Sequence, residues 1–388
     1  MSDILKKFDL QLFAAPTGPV TTFDIDRDRR EIDVTKKIAE YRPDESPFVV
    51  LLMRARKRPT INTELQWWDD EPWAWWATVA ADAPAGSNEI SVENAGIFAP
   101  KDVVFVPRTN EQMYVNEVDY EGNRIVVTRA YGISPEADIN AGDKLMLLAN
   151  AMEQNSRAPQ SKIAQPRKRF NYTQTIRTPF DESMQSATDA LRTSENERKR
   201  LRRKKLLDHR LALERTAIWG QRVEDPMNRR HLTNGISAYI VSNVFDFNGT
   251  LDETVFFTSF SEMAFKYGSK NKLLLTSPMV ASRLNEFARE KIQTSSGERT
   301  YGLQLNYIQT FHGRLYIVTS QFFEGDLAGH GFVLDMNNIA YRPKRGRDTK
   351  LRPNIQDNDV DGWKDEYLTE FAMQVELEKT HVRFVNAL

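Results

Sequence analysis

Cysteine is absent from all 388 residues, so disulfides, thiol nucleophiles, zinc–thiolate sites and iron–sulfur clusters are excluded, and nothing points to an oxidising compartment. No apolar run approaches the ~20 residues of a membrane-spanning helix, and no signal peptide is visible, so no membrane is expected as a partner. Phosphate-cradling patterns are missing: there is no Gly-x-Gly-x-x-Gly, no Walker loop and no Gly-x-Ser-x-Gly elbow. The five histidines (His209, His231, His312, His330 and His381) lack the spacing that would set two on one helical face around a metal. Internal repeats and low-complexity tracts are lacking too. So is an excess of charge of one sign, because 53 Lys and Arg face 54 Asp and Glu. A chain built mainly to grip nucleic acid usually carries a positive balance, which lowers that reading. These absences predict a protein that is not an enzyme and that uses no cofactor and no metal.

What is present is more pointed. Ser194-Glu195-Asn196-Glu197 reads as a capping box, and no Gly or Pro follows until Gly220. A helix of about 25 residues, roughly 37 Å long, is predicted from Ser194 to Trp219. Its core-facing candidates are few: Leu201, Leu207, Leu211 and Ile218, with Leu206 and Leu213 beside them. Basic residues crowd between them, among them Arg198, Arg202, Arg203 and Arg210. A helix with so little apolar surface needs acidic partners, supplied by nucleic acid or by neighbouring protein.

A second concentration is aromatic. Trp67, Trp68, Trp73, Trp75 and Trp76 place five of the seven tryptophans within ten positions. They read either as a stacking platform for sugars or bases or as anchors in a protein interface. The acids Asp69, Asp70 and Glu71 among them repel nucleic acid and favour the interface. A second basic run, Arg342, Lys344, Arg345 and Arg347, continuing to Lys350 and Arg352, surrounds Pro343 and Gly346 and reads as a loop. It faces either DNA phosphates or an acidic patch on a neighbour. Asp357-Asn358-Asp359-Val360-Asp361-Gly362 copies half of a calcium loop, but its twelfth position is Leu368, so an acidic turn is expected.

Between these landmarks the pattern is mixed. Residues 1–60 read as an arm, with a short helix over Val34–Tyr41. From about Val79 to Leu148 four or five short strands, including a hairpin turning at Glu121-Gly122-Asn123, predict a small barrel or sandwich. Leu251–Tyr267 reads as helix, Lys272–Leu275 as strand, and a helix begins at Pro278, where a missing amide costs nothing. Tyr307–Thr310, Arg314–Thr319 and Phe332–Leu334 read as strands. Finally Phe371, Met373, Val375 and Leu377 alternate with Glu370, Ala372, Gln374 and Glu376, an antiparallel strand with one wet face.

This order resembles the major capsid proteins of tailed bacteriophages, the Hong Kong 97-like fold. The likeness is carried by Phe8-Asp9-Leu10-Gln11-Leu12-Phe13-Ala14 at the start and by Phe170-Asn171-Tyr172-Thr173-Gln174 with Arg177-Thr178-Pro179 before the long helix. It continues in Glu214–Gly220 at that helix's end, Tyr301-Gly302 with Gly313–Val318, Val333–Met336, and Asp359–Leu377. It spans nearly the whole chain and is similar to the subset with a β-rich insert; the basic density of Arg198–Lys205 departs from it. The resemblance implies an α+β capsid fold. Its parts would be an arm over 1–60, an extended loop over 61–165 with an insert at about 77–150, and a peripheral domain over 166–235 with a spine helix 195–219. An axial domain over 236–345 and a return to the peripheral domain over 346–388 would complete it.

It further implies a shell protein of the virion, assembled in the host cytoplasm into pentamers and hexamers around double-stranded DNA. Portal, separate scaffolding and decoration proteins would be its partners, and packaged DNA would be met by nonspecific contact. The tryptophans and the arginines of the spine helix would then lie at subunit interfaces, the arginines paired across subunits. The alternatives are a nucleic-acid-binding protein using helix residues 198–215 and loop 342–352, and a carbohydrate module built on the tryptophans.

Overall fold

The computed structural model describes residues 47–71, 73–157, 165–189, 196–291, 296–300 and 303–387. The Phe8–Ala14 motif, the helix expected at Val34–Tyr41, Ser194 and Glu195 lie outside them. The centre is a seven-stranded mixed sheet in the order Val244–Asp246, Val382–Val385, Gly331–Leu334, Asn271–Thr276, Arg314–Thr319, Leu303–Gln309 and Ser296–Thr300. Period-two alternation sends its apolar side chains to both faces. Leu273, Leu275, Val318, Phe332 and Leu334 meet Leu213 and Ile218 of the long helix and Phe48, Leu51 and Leu52 of the helix Pro47–Ala55. Leu274, Leu315, Val333 and Phe384 face the other way, onto Phe256, Phe260 and Leu284.

The helix predicted over Leu251–Tyr267 is present as one continuous run over 253–265, widened in its middle. Short α turns at Glu253–Val255 and Ser261–Phe265 flank a π turn, Phe256–Phe260, which keeps both terminal phenylalanines stacked in the core at 5.2 Å. The helix Pro278–Lys291 starts where expected, with Ser277 Oγ accepting the Val280 amide at 3.1 Å.

A second sheet is organised by one 14-residue strand, Gly362–Val375. One edge pairs antiparallel with Gln174–Ser183 over ten registered positions; the other pairs with Ile339–Pro343 and then Lys350–Arg352. The strand expected at Glu370–Leu377 therefore begins eight residues earlier and ends at Val375, before Leu377 adopts a left-handed φ of 53°. Nor does it have a wet face, for Asp365 through Val375 are buried on both sides. The long helix covers the face that carries Asp365 and Thr369, and the basic segment after Pro343 pairs with Glu366 and Glu370 on the other. In the second basic run, Arg342 and the pair Lys350 and Arg352 lie in strands, and only the intervening residues form the predicted loop.

From this body two strands leave as a ribbon, Glu64–Asp69 paired antiparallel with Arg167–Tyr172. At its far end the chain builds a six-stranded antiparallel sheet in the order Trp76–Thr78, Lys144–Asn150, Asp102–Val106, Glu111–Asp119, Arg124–Thr128 and Glu89–Ser91. Its first and last members meet: Val79 bridges Val92, the Ala80 amide donates to the Ser91 carbonyl at 2.9 Å, and the Glu93 amide donates to the Thr78 carbonyl at 2.9 Å. The sheet is thus a closed barrel. Register shifts at Val103/Val104 and Val115/Glu117 supply the bending that closure needs. Inside sit Ile90, Val104, Val106, Met113, Val115, Ile125 and Leu145. A sealed Glu111–Arg129 pair (Nε to Oε1, 2.7 Å) anchors the loop after Arg129, since Glu111 also accepts the Ala130 and Ala137 amides.

The long helix runs Glu197–Trp219, 23 residues. Its cap is Asn196, whose side chain accepts the Lys199 amide at 3.2 Å, two residues past the Ser194 expected from the capping-box pattern. Its buried residues are His209, Leu213, Glu214, Ala217 and Ile218, all in its second half. We expect Asn196→Ala to cost about 1 kcal/mol in urea unfolding; an unchanged midpoint would mean that another group caps the helix.

Candidate assembly surfaces

Two basic residues of the long helix, Arg198 and Arg202, find their acidic partner inside the chain. Arg198 and Arg202, one turn apart, both reach Asp365 on the long strand. Arg198 Nε donates to Oδ2 at 3.0 Å and Nη2 to Oδ1 at 2.6 Å; Arg202 Nε and Nη2 donate to Oδ2 at 3.0 and 2.9 Å. The Asn354 amide adds a fifth bond at 2.9 Å. Asp365 is 1% exposed. Burial alone would raise its carboxyl, but the bonds from Arg198, Asn354 and Arg202 outweigh that and hold it at about 2. The Arg198 guanidinium also lies 4.3 Å over the Trp363 ring, which gives it an apolar floor.

The same strand repeats the device twice. Glu366 is clamped by Arg177 (Nη2 to Oε2, 2.6 Å) and Arg352 (Nη1 to Oε1, 2.9 Å). Glu370 is clamped by Lys344 (Nζ to Oε1, 2.9 Å) and Arg347 (Nε to Oε2, 2.6 Å), with the Thr173 hydroxyl donating at 2.9 Å. Three buried carboxylates thus bind six cations drawn from the long helix, the Gln174–Ser183 strand and the 342–352 segment. A carboxylate at each of these positions is stable only because two cations face it.

The other basic candidates are placed as follows. Arg203 is exposed, and Arg210 is half-buried beside Tyr367. Arg345 is exposed, its amide donating to the Thr60 carbonyl at 2.8 Å. Arg342 is half-buried near Arg58, Arg56 and Glu376; burial first, and then the two arginines, lower it. Asp357 to Asp361 form a turn, and no cluster of His, Asp or Glu that could hold a metal occurs among the described residues. Asn171, in a glycosylation sequon, is fully buried, with Nδ2 donating to the Met373 carbonyl at 2.7 Å, so it is closed to modification.

The tryptophans divide. Trp67 is 6% exposed and packs on Tyr239 at 5.6 Å, fixing the ribbon to the body. Trp68 and Trp75 are 66% and 63% exposed, while Trp73 and Trp76 are partly so. Ion pairs reinforce the ribbon's root: Lys379 Nζ meets Glu71 at 2.5 Å, and Arg169 bridges Asp69 at 3.7 Å and Glu378 at 3.4 Å. The left-handed turn at Leu377 points its amide at Asp69. Between root and body lies a groove of about 420 Å³ lined by Trp73, Trp75, Trp76, Tyr267 and Leu377.

Sequence reasoning named the cations and missed their anions. Glu370 is legible only as a polar residue of the last strand, Asp365 and Glu366 fall before that strand's expected start, and Arg177 is legible only as part of an extended segment. Complementary counts of acid and base were the available signal, but they carry no address.

Residues 15–387 match the family described as SU10 major capsid protein. A curated relative, the major capsid protein of Pseudomonas phage PaMx41, is 25% identical over 303 residues, covering 71% of this chain and 69% of that protein. Among solved structures, the Cyanophage A-1(L) capsid asymmetric unit aligns with a TM-score of 0.52 at 10% identity, covering 95% of this chain and 99% of that one. A structure from Mycobacterium phage Bobi aligns with a TM-score of 0.51 at 8% identity, with the same coverage.

Proposed function

The chain belongs to the SU10 major capsid protein family, and from that premise we propose that it assembles into pentamers and hexamers that close an icosahedral shell around double-stranded DNA. It is a phage major capsid protein with the Hong Kong 97-like fold, a component of the virion capsid, and its family is structural rather than catalytic. The observation that carries the assembly reading is the pairing of a rigid body with an outreaching arm. The body is tied by three doubly clamped carboxylates, while the ribbon holds a closed barrel away from it. Trp68 and Trp75 stand exposed on the approach to that barrel. Large exposed aromatics of this kind mark contact surfaces, and in a shell the neighbour that covers them is another copy.

In this reading the ribbon and barrel overlap adjacent subunits, and the seven-stranded sheet lies toward the capsomer axis. Portal, scaffolding and decoration proteins join during assembly in the host cytoplasm. The basic residues of the helix turned away from Asp365, with Lys199 and Lys204 exposed, meet packaged DNA through nonspecific phosphate contacts. The clamping of Arg198, Arg202, Lys344 and Arg347 by carboxylates of the same chain argues against a dedicated nucleic-acid-binding protein. Negative-stain electron microscopy of the purified full chain should reveal discrete rings or hollow particles. A chain that stayed monomeric at every concentration, with and without its scaffold, would overturn the reading.

A further inference from the structure

The groove at the ribbon's root is an unusual surface. Trp73, Trp75, Trp76 and Tyr267 open onto one space of about 420 Å³, and all four are at least 36% exposed. Its rim carries both signs of charge, Asp70 and Glu71 on the ribbon side and Lys266 and Lys379 on the body side. Four aromatics converging on one concave space form a receptor for large apolar side chains, and scattered surface residues do not look like this.

The chain itself contains a matching ligand. Outside the described residues, the densest apolar cluster is Phe8-Asp9-Leu10-Gln11-Leu12-Phe13, four large apolar side chains in six positions. Phe8, Leu10 and Leu12 alternate with Asp9 and Gln11, so an extended segment presents three of them on one side. Lys6 and Lys7 precede it, the complement of Asp70 on the rim, where Glu71 is already held by Lys379. Reach is no obstacle. The N-terminal segment joins the body at Pro47, one helix length (roughly 13 Å) from the groove, since Arg56, just past the end of Pro47–Ala55, pairs with Glu376 at 3.0 Å and bonds the carbonyl of Asn337, beside the groove residue Asn338. The residues between Phe13 and Pro47 can span on the order of 100 Å when extended. The groove of the same chain lies well within that reach.

We propose that this groove is the receptor for residues Phe8–Phe13 of the chain, with Phe8, Leu10 and Leu12 seated among Trp73, Trp75, Trp76 and Tyr267 and with Lys6 or Lys7 on the acidic rim. The segment thereby braces the ribbon's root, whichever copy donates it.

The test places a photocrosslinking benzoylphenylalanine at Phe8 in the full chain, irradiates it, and maps the products by mass spectrometry. Crosslinks to Trp73–Trp76, Lys266–Gly268 or Leu377–Thr380 are expected. Trp75→Ala should cut their yield about tenfold, while Trp68→Ala, outside the groove, leaves it unchanged. Crosslinks confined to other surfaces, or a yield indifferent to Trp75→Ala, overturn the proposal. Deleting residues 1–15 gives a second readout: amide exchange at Leu377–Thr380 should speed up, and unchanged exchange counts against groove occupancy. Electron microscopy of the same samples reads assembly separately, so this proposal and the shell reading can fail independently.

Discussion

Asp365→Asn should lower the stability of the chain by on the order of 3–5 kcal/mol, the cost of removing one member of a buried ion-paired set. The substitution keeps the shape and deletes the charge that holds Arg198 and Arg202. Both guanidiniums would remain against the strand, a third exposed or less, with no anion. The first half of the long helix has no buried residue of its own, so the five hydrogen bonds on this carboxylate weigh heavily in holding it to the body. Urea unfolding should show the loss, and amide exchange should show it concentrated in Glu197–His209. Arg202→Glu attacks the same contact from the other side by placing a second carboxylate against Asp365. It should therefore impair folding at least as much as assembly, because the partner of Arg202 lies in its own chain and not across a subunit boundary. A stable Asp365→Asn chain with a rigid helix would sink this account.

Acid should weaken the fold in two stages, and the first stage belongs to two histidines. His209 is fully buried between Thr178 Oγ1 at 2.8 Å and Thr369 Oγ1 at 2.7 Å. His381, also fully buried, accepts the Asp335 amide at Nδ1 (3.1 Å), so its proton sits on Nε2, facing the Glu376 carbonyl. Protonating Nδ1 would turn that acceptor into a donor aimed at an N–H. Burial pushes each from 6.5 to about 4. An unfolded chain takes up these protons near 6.5 and the folded chain does not. Stability therefore rises with pH through this window and falls as pH drops from about 6.5 toward 4, by roughly 3 kcal/mol per histidine. Asp365 is lowered as well, but there the fold favours the charged form: its contribution is complete above its ordinary value near 3.8 and is lost only as pH falls toward about 2. Unfolding free energies measured from pH 8 to pH 3 should fall steeply between 6.5 and 4 in the wild type. His209→Gln should flatten part of that slope; a wild-type profile already flat over this window would refute the assignment.

Local signals in the sequence were readable where they rest on local physics. The hairpin at Glu121-Gly122-Asn123 formed because Asn123 tolerates its φ of 50°. The long helix stopped at Gly220, and Pro278 opened its helix, for reasons confined to a turn of backbone. Misreadings came from competition or from distance. Ser194 and Asn196 are both good caps, and propensity does not choose between them. Asp365 sits 167 residues from Arg198, beyond any pattern of spacing. The wet face assigned to the last long strand failed for the same reason. Glu370 looks solvated by alternation and becomes buried only when Lys344 and Arg347 arrive. A polar stripe on a strand and a polar stripe on a helix each suggest water; together they make an interior of ion pairs.

The barrel's closure bears on how copies can adhere. An open sheet ends in a row of unpaired amides and carbonyls, and at the local concentrations of a shell such rows template pairing in unintended registers. In the barrel, Val79 and Val92 consume those groups within the chain. In the proposed shell, a neighbouring copy that met the barrel would have side chains such as Tyr120, Tyr131 and Ile133 to touch, which stand exposed on its surface. Alignment between barrels is then set by the shape and charge of that surface, and a wrong register has no ladder of backbone hydrogen bonds to hold it in place.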